Sequence, residues 1–171
     1  MRNHFELFGL TPAFALDAVA LERAYRDIQS RVHPDRFANS GDAERRASLQ
    51  WTTRVNEAYR TLKNPVQRAK HVLELQGVDV AFETNTAMPP DFLMQQMELR
   101  EALEAATQDK NPDSLGRIRN DLVAEKRALE AQLGKAIDES KDYSGAAGLV
   151  RKLMFLDKLD AEIDLAYEAA E

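Results

Sequence analysis

At 171 residues, 44% hydrophobic and 30% charged, the chain suits one ordinary domain or two small ones and is globular rather than disordered. It contains no cysteine, which excludes a disulfide framework, a thiolate metal site and a cysteine nucleophile, and fits a reducing compartment. The net charge of −6 divides unevenly: residues 1–77 hold 12 Lys and Arg against 9 Asp and Glu, and residues 78–171 hold 11 against 20, so a unit of +3 precedes one of −9.

Almost every segment reads as helix. A short apolar stretch, Phe5 to Leu10, closes at Gly9 and Thr11-Pro12. A helix is expected from about Val19 to Val32, with Asp17 as N-cap and Leu16 and Leu21 spaced as a hydrophobic staple. A loop follows, from His33 through Asn39-Ser40-Gly41. Ala47, Trp51, Val55, Ala58, Tyr59 and Leu62 then repeat at helical spacing up to Asn64-Pro65, with Trp51 and Tyr59 expected in the core. Asn64 is placed to cap a further short helix, with Pro65 in its first turn and Gly77 past its end.

Residues 78–90, with Thr84, Asn85, Thr86 and Pro89-Pro90, keep no period and read as a connection. Asp91 is expected to cap a helix from Phe92 to about Gln108. A second helix begins at Asn111-Pro112 and aligns Leu115, Ile118, Leu122, Leu129, Leu133 and Ile137. A third, from about Gly145, aligns Leu149, Leu153, Leu156, Leu159 and Ile163. Three amphipathic helices joined by short turns bury their stripes against one another, so residues 91–171 are expected to form a three-helix bundle. Strand alternation and internal repeats are absent from the sequence, and the expected class is all-α.

The tripeptide His33-Pro34-Asp35 carries most of the functional information. Average residue usage places a given tripeptide of this kind in roughly one of every hundred chains this long, so its setting has to supply the specificity. Leu21, Ala24, Tyr25, Ile28 and Val32 lie within about 100° of arc on the preceding helix. Arg23, Arg26 and Ser30 fall opposite, Arg31 on the flank, and Arg36 extends the positive charge past the loop. Pro34 disfavours helical geometry at His33 and stops the helix there. The three residues therefore sit on a loop between two amphipathic helices.

With this setting, Phe5-Glu6-Leu7-Phe8-Gly9-Leu10, Arg31-Val32-His33-Pro34-Asp35-Arg36-Phe37 and Asn56-Glu57-Ala58-Tyr59-Arg60-Thr61-Leu62 before Asn64-Pro65-Val66-Gln67-Arg68-Ala69 resemble a J-domain over residues 1–77. The acidic remainder is similar to the C-terminal domain of the HscB (Hsc20) co-chaperones of iron–sulfur cluster assembly. That likeness rests on Phe92-Leu93-Met94-Gln95-Gln96-Met97-Glu98-Leu99-Arg100-Glu101 and Arg151-Lys152-Leu153-Met154-Phe155-Leu156-Asp157-Lys158-Leu159.

The resemblance implies a co-chaperone that brings an IscU-type scaffold to a dedicated, HscA-like DnaK-type chaperone and stimulates its ATPase. By position it implies chaperone contacts at Arg23, Arg26, Arg31, His33, Pro34, Asp35 and Arg36. It implies scaffold contacts at Leu93, Met94, Met97, Glu98, Glu101 and Phe155, while one acidic position of the relatives is Ala105 here. The wheel reading agrees on an extra surface. Phe92, Leu99, Leu103 and Ala106 share a face within about 60°, whereas Leu93, Met94 and Met97 fall on the far side among Glu98, Glu101 and Glu104. Apolar residues in an acidic frame suit a contact site, and Met adapts to irregular partners. Phe155 sits off its helix's apolar stripe, as an exposed contact would.

Other classes fit less well. His4, His33 and His71 are the only histidines, and no motif groups an acid, a base and a nucleophile, so no enzyme, cofactor or metal site is expected. His71, among apolar residues, reads as packed or at a boundary. Some relatives carry an N-terminal zinc module with paired cysteines, and this sequence has no cysteine. Overall acidity opposes nucleic-acid binding. No apolar run approaches membrane-spanning length and Met1-Arg2-Asn3-His4-Phe5 lacks a long apolar stretch, so a cytoplasmic protein is expected. A J-domain co-chaperone for a different client shares the same N-terminal motif and is the nearest alternative.

Overall fold

A computed structural model describes residues 2–81 and 88–170. Thr84, Asn85 and Thr86 of the expected connection lie outside them. The chain divides into two compact units, Met1–Leu75 and Gln76–Glu171. Every regular element among the described residues is helical, as the absence of strand alternation requires.

The first unit contains α1 (His4–Leu7), α2 (Ala18–Val32), a single 3-10 turn (Pro34–Phe37), α3 (Asp42–Lys63) and α4 (Pro65–Leu75). Asp17 caps α2 by accepting from the amides of Val19 and Ala20 at 3.0 and 3.1 Å. Asn64 caps α4 through the Gln67 amide at 3.1 Å. Gly9 and Gly77 take positive φ at the turns that end α1 and α4, a conformation that a Cβ disfavours. The core is made by Phe5, Phe8, Leu21, Val55, Ala58, Leu62, Val66, Ala69, Val72 and Leu73.

Tyr25 and Tyr59 stack at 4.0 Å between α2 and α3, and the Tyr25 hydroxyl donates to Asn56 Oδ1 at 2.7 Å. The Tyr59 hydroxyl donates to Glu22, which holds that carboxyl below the usual range, with Arg26 adding to the effect. Arg68 is buried and donates to the carbonyls of Phe14 and Leu62 at 2.7 and 2.8 Å, tying α4 to the start of the unit and the end of α3.

The first half of α3 departs from the expected stripe. Trp51 is 44% exposed under the Arg54 guanidinium, and Ala47 is exposed too. Ser48 is buried and Thr52 half-buried in their place. Along these turns α3 meets the end of α2 and the 3-10 turn, whose backbone needs polar partners rather than an indole.

His71 accepts the His4 amide on Nε2 at 3.3 Å, stacks on the His4 ring at 4.4 Å and lies 5.7 Å from Phe5. Burial lowers both imidazoles below their usual range. For His71 the neighbouring His4 adds to this and Glu74 opposes it; for His4, Arg54 adds and Glu57 and Glu74 oppose. Because the folded values lie below the unfolded one, the neutral pair contributes its full stability above about pH 6.5 and loses it as pH falls toward the folded values. His71→Gln keeps an acceptor and removes one titration. Its unfolding free energy, followed by denaturant titration from pH 7.5 to 5, is expected to fall less steeply than the parent's. Parallel profiles would show that the pair does not act this way.

The second unit is the three-helix bundle: α5 (Pro90–Gln108), α6 (Pro112–Gly134) continuing into one wide π-helical turn (Lys135–Glu139), and α7 (Tyr143–Ala170). Asn111 caps α6 through the Ser114 amide at 3.2 Å. Asp91 is not the cap of α5. The helix begins at Pro90, whose ring presets the first helical φ, with Pro89 as a cap that makes no side-chain bond, so Asp91 lies inside the first turn. Helix α7 starts two residues before Gly145, and Asp142 accepts the Gly145 amide at 2.9 Å.

Leu115, Ile118, Leu122, Leu129, Leu133 and Ile137 are buried against Leu153, Leu156, Leu159 and Ile163. At the amino end of α7 the buried set turns to Ala146, Ala147 and Val150, and Leu149 is left half-buried, because there the helix packs on the wide turn that ends α6. Lys126 pairs with Asp157 at 2.7 Å and Arg119 with Asp164 and Asp160, fixing the register of α6 on α7. Among the described residues no helix is long and apolar enough to cross a membrane.

Candidate functional site

Two surfaces, one on each unit, carry the residues singled out from the sequence. On the first, Arg23, Arg26 and Arg31 are exposed along α2. Arg26 pairs with Glu22 at 2.8 Å and Arg31 with Asp27 at 3.0 Å, whereas Arg23 has no ion pair among the described residues. Exposed pairs of this i, i+4 kind are worth about 0.3–0.5 kcal/mol. A partner's carboxylates can therefore replace Glu22 and Asp27 at little cost. Arg23 and Arg26 also line an open cleft of about 720 Å³ with Val19 and Lys63.

At the end of α2, His33 leaves helical geometry with φ −56° and ψ 133°, as its position before proline dictates. Its Nδ1 accepts the Asp35 amide at 3.2 Å, so the ring caps the 3-10 turn. The Asp35 carboxylate lies 3.5 Å from the same nitrogen. Nδ1 cannot accept from the amide and donate to the carboxylate at once, and the cap geometry favours acceptance. The neutral ring then carries its proton on Nε2. The Asp35 side chain is 92% exposed. Pro34 fixes the backbone between a donor and a carboxylate that a partner can reach.

Arg36 does more than extend the positive charge, since its guanidinium donates to the Ser30 carbonyl at 3.1 Å. Ser48 and Thr52 lie just behind the loop, and the sequence motif alone does not point to them. Both hydroxyls donate to the Val32 carbonyl, Thr52 at 3.2 Å. The available signal is a pair of hydroxyl residues one helical turn apart, flanking the Ala47, Trp51 and Val55 stripe.

On the second unit, Leu93 is 40% exposed, Met94 61% and Met97 63%, with Glu98 and Glu101 exposed beside them on α5. Phe92, Leu103 and Ala106 are buried on the other side of the same helix as their spacing suggests, while Leu99 of that face is only half-buried and Gln96 is buried with them. Phe155 corrects the sequence reading. It is half-buried rather than exposed, meeting Phe92 edge-on at 6.0 Å beneath the Arg100 guanidinium at 5.5 Å. Its position on α7 borders the buried stripe, so one edge of the ring is covered by α5. Ala105 is exposed.

A helical hairpin with His-Pro-Asp at its turn, followed by an acidic three-helix bundle, defines a J-protein with an appended helical unit. Residues 88–164 match the family described as the HSCB C-terminal oligomerisation domain. The chain is 52% identical over 169 residues to the co-chaperone protein HscB homolog of Burkholderia thailandensis, covering 99% of this chain and 96% of the relative. Among solved structures it is similar to the chaperone HscB from Vibrio cholerae, with a TM-score of 0.86 and 37% identity over 99% of this chain and 100% of that one. It is also similar to the human co-chaperone protein HscB, with a TM-score of 0.91 and 27% identity over 96% and 82%. The chain belongs to the HscB family of J-domain co-chaperones, which serve iron–sulfur cluster assembly.

Proposed function

We propose that this protein delivers an IscU-type scaffold to an HscA-like, DnaK-type chaperone in the cytoplasm and stimulates that chaperone's ATPase. The observation that carries the reading is the presence, in one chain, of two outward surfaces of different chemistry. One is a cationic helix ending in an exposed His-Pro-Asp loop, and the other is an apolar face framed by Glu98 and Glu101.

The cations along α2 steer encounter with an acidic chaperone surface. His33 and Asp35, held by Pro34 and by their mutual bond, then offer a donor and a carboxylate to groups that control ATP hydrolysis in the partner. The bundle holds the scaffold by burying Leu93, Met94 and Met97, with the exposed edge of Phe155 and the two glutamates around them. The protein carries out no chemistry of its own and needs no cofactor.

Titrating the full chain against an IscU-type scaffold and reading the chaperone's ATPase in the same experiment tests both halves. Saturable scaffold binding with a raised ATPase rate is expected. Stimulation without scaffold binding would assign the protein to a different client, and scaffold binding without stimulation would remove the loop from the mechanism.

A further inference from the structure

We propose that Ser48 and Thr52 of α3 are positioning residues for the His33-Pro34-Asp35 loop, and that their hydroxyls set the pose from which the partner's ATPase is triggered. This rests on the J-protein reading above and extends it to two residues behind the contact surface.

The last four carbonyls of a helix have no partner within it. After Val32 the chain supplies no glycine turn to satisfy them, and Pro34 has no N–H to offer. The Val32 carbonyl, one residue before His33, is taken instead by another helix. Ser48 Oγ donates to it, and Thr52 Oγ1 lies 3.2 Å from it and 2.9 Å from the Ser48 carbonyl, sharing its one proton between the two.

The remaining bonds of the loop are internal to it or run back to α2: Asp35 amide to His33 Nδ1, Arg36 amide to the His33 carbonyl, Ser40 amide to the Phe37 carbonyl, and Arg36 guanidinium to the Ser30 carbonyl. They shape the loop but do not orient it against the other arm of the hairpin. Among the described residues, the hydrogen bonds from α3 to this end of α2 are those of Ser48 and Thr52. Ser48 is buried, and with half-buried Thr52 it takes the covered side of α3 that Val55, Ala58 and Leu62 occupy further along. One hydroxyl bond is a modest contributor to stability, whereas at the pivot of a loop it selects one orientation.

The test uses the full chain carrying Ser48→Ala with Thr52→Val, and Thr52→Val and Thr52→Ser singly. For the double variant the maximal stimulated ATPase rate is expected to fall about five-fold, as for one lost hydrogen bond in the coupled state. The co-chaperone concentration at half-stimulation should stay nearly unchanged, because the α2 cations remain. Hydrogen exchange of the Asp35 and Arg36 amides should quicken in the free protein. Thr52→Ser, which keeps the hydroxyl, should behave as the parent.

An unchanged maximal rate together with unchanged amide exchange would overturn the proposal, and so would a rise in the half-stimulating concentration alone. If the double variant fails to fold, Thr52→Val against Thr52→Ser decides, and equal stimulation by the two overturns it. Failure of the parent itself to stimulate would refute the J-protein reading, while the exchange measurement would still judge the positioning of the loop.

Discussion

His33→Gln is expected to reduce stimulation of the chaperone's ATPase by about 10- to 100-fold, the size of a lost hydrogen bond to a charged or developing-charge group. The fold should hardly register the change. His33 is exposed and outside the core, so its replacement belongs with surface substitutions, within about 1 kcal/mol once the lost cap of the 3-10 turn is counted. The separation of the two effects follows from the geometry. Nδ1 is committed to the Asp35 amide, which leaves Nε2–H as the group for the partner, on a ring with only two rotatable bonds. Glutamine offers a donor at another reach and with more freedom. Asp35→Asn keeps the shape and removes the charge, and a similar loss is expected. ATPase stimulation by His33→Gln equal to the parent's, with helical circular dichroism intact, would detach this loop from coupling.

Much of this was legible because the signals were local. Asp17 and Asn64 cap the helices they precede, as a short polar side chain before an apolar repeat suggests, whereas Asp91 stands in the same setting and is displaced from the cap by Pro90. Pro34 marked the loop for a similarly local reason. The other departures from the sequence reading came where packing decides. Helical spacing alone sends Trp51 inward, but the wall opposite is backbone in need of donors, so Ser48 and Thr52 take the covered side. Periodicity reports which residues share a face and not what the face meets.

The same limit governs Phe155. Its angle from the α7 stripe is readable, yet how far α5 laps over that edge depends on the bundle's packing, and Phe92 and Arg100 of α5 leave the ring half-buried. In the sequence Arg36 shows as charge alone for a related reason, because its bond to the Ser30 carbonyl exists only once the chain has turned back on α2.

Replacing Leu93, Met97 and Phe155 together by Ala is expected to weaken scaffold binding by more than about 100-fold. Central apolar contacts typically lose about 1–2 kcal/mol each on truncation, and three of them exceed the roughly 2.7 kcal/mol that a 100-fold change represents. The half-burial of Phe155 complicates the triple variant. Truncating that ring also strips Phe92 of an edge contact within the bundle, so part of any lost affinity could come from a loosened α5. Leu93→Ala with Met97→Ala avoids this, because both side chains stand on the exposed side of α5, opposite Phe92, Leu103 and Ala106. The pair alone should weaken binding about 10- to 100-fold while the thermal midpoint stays within a few degrees of the parent's. Leu165→Ala, which trims an exposed apolar side chain near the far end of α7, serves as the control and should leave affinity unchanged. Undiminished scaffold binding by the Leu93/Met97 pair in calorimetric titration would sink the assignment. Losses shared equally by Leu165→Ala would point to general apolar association rather than to a docking face on α5.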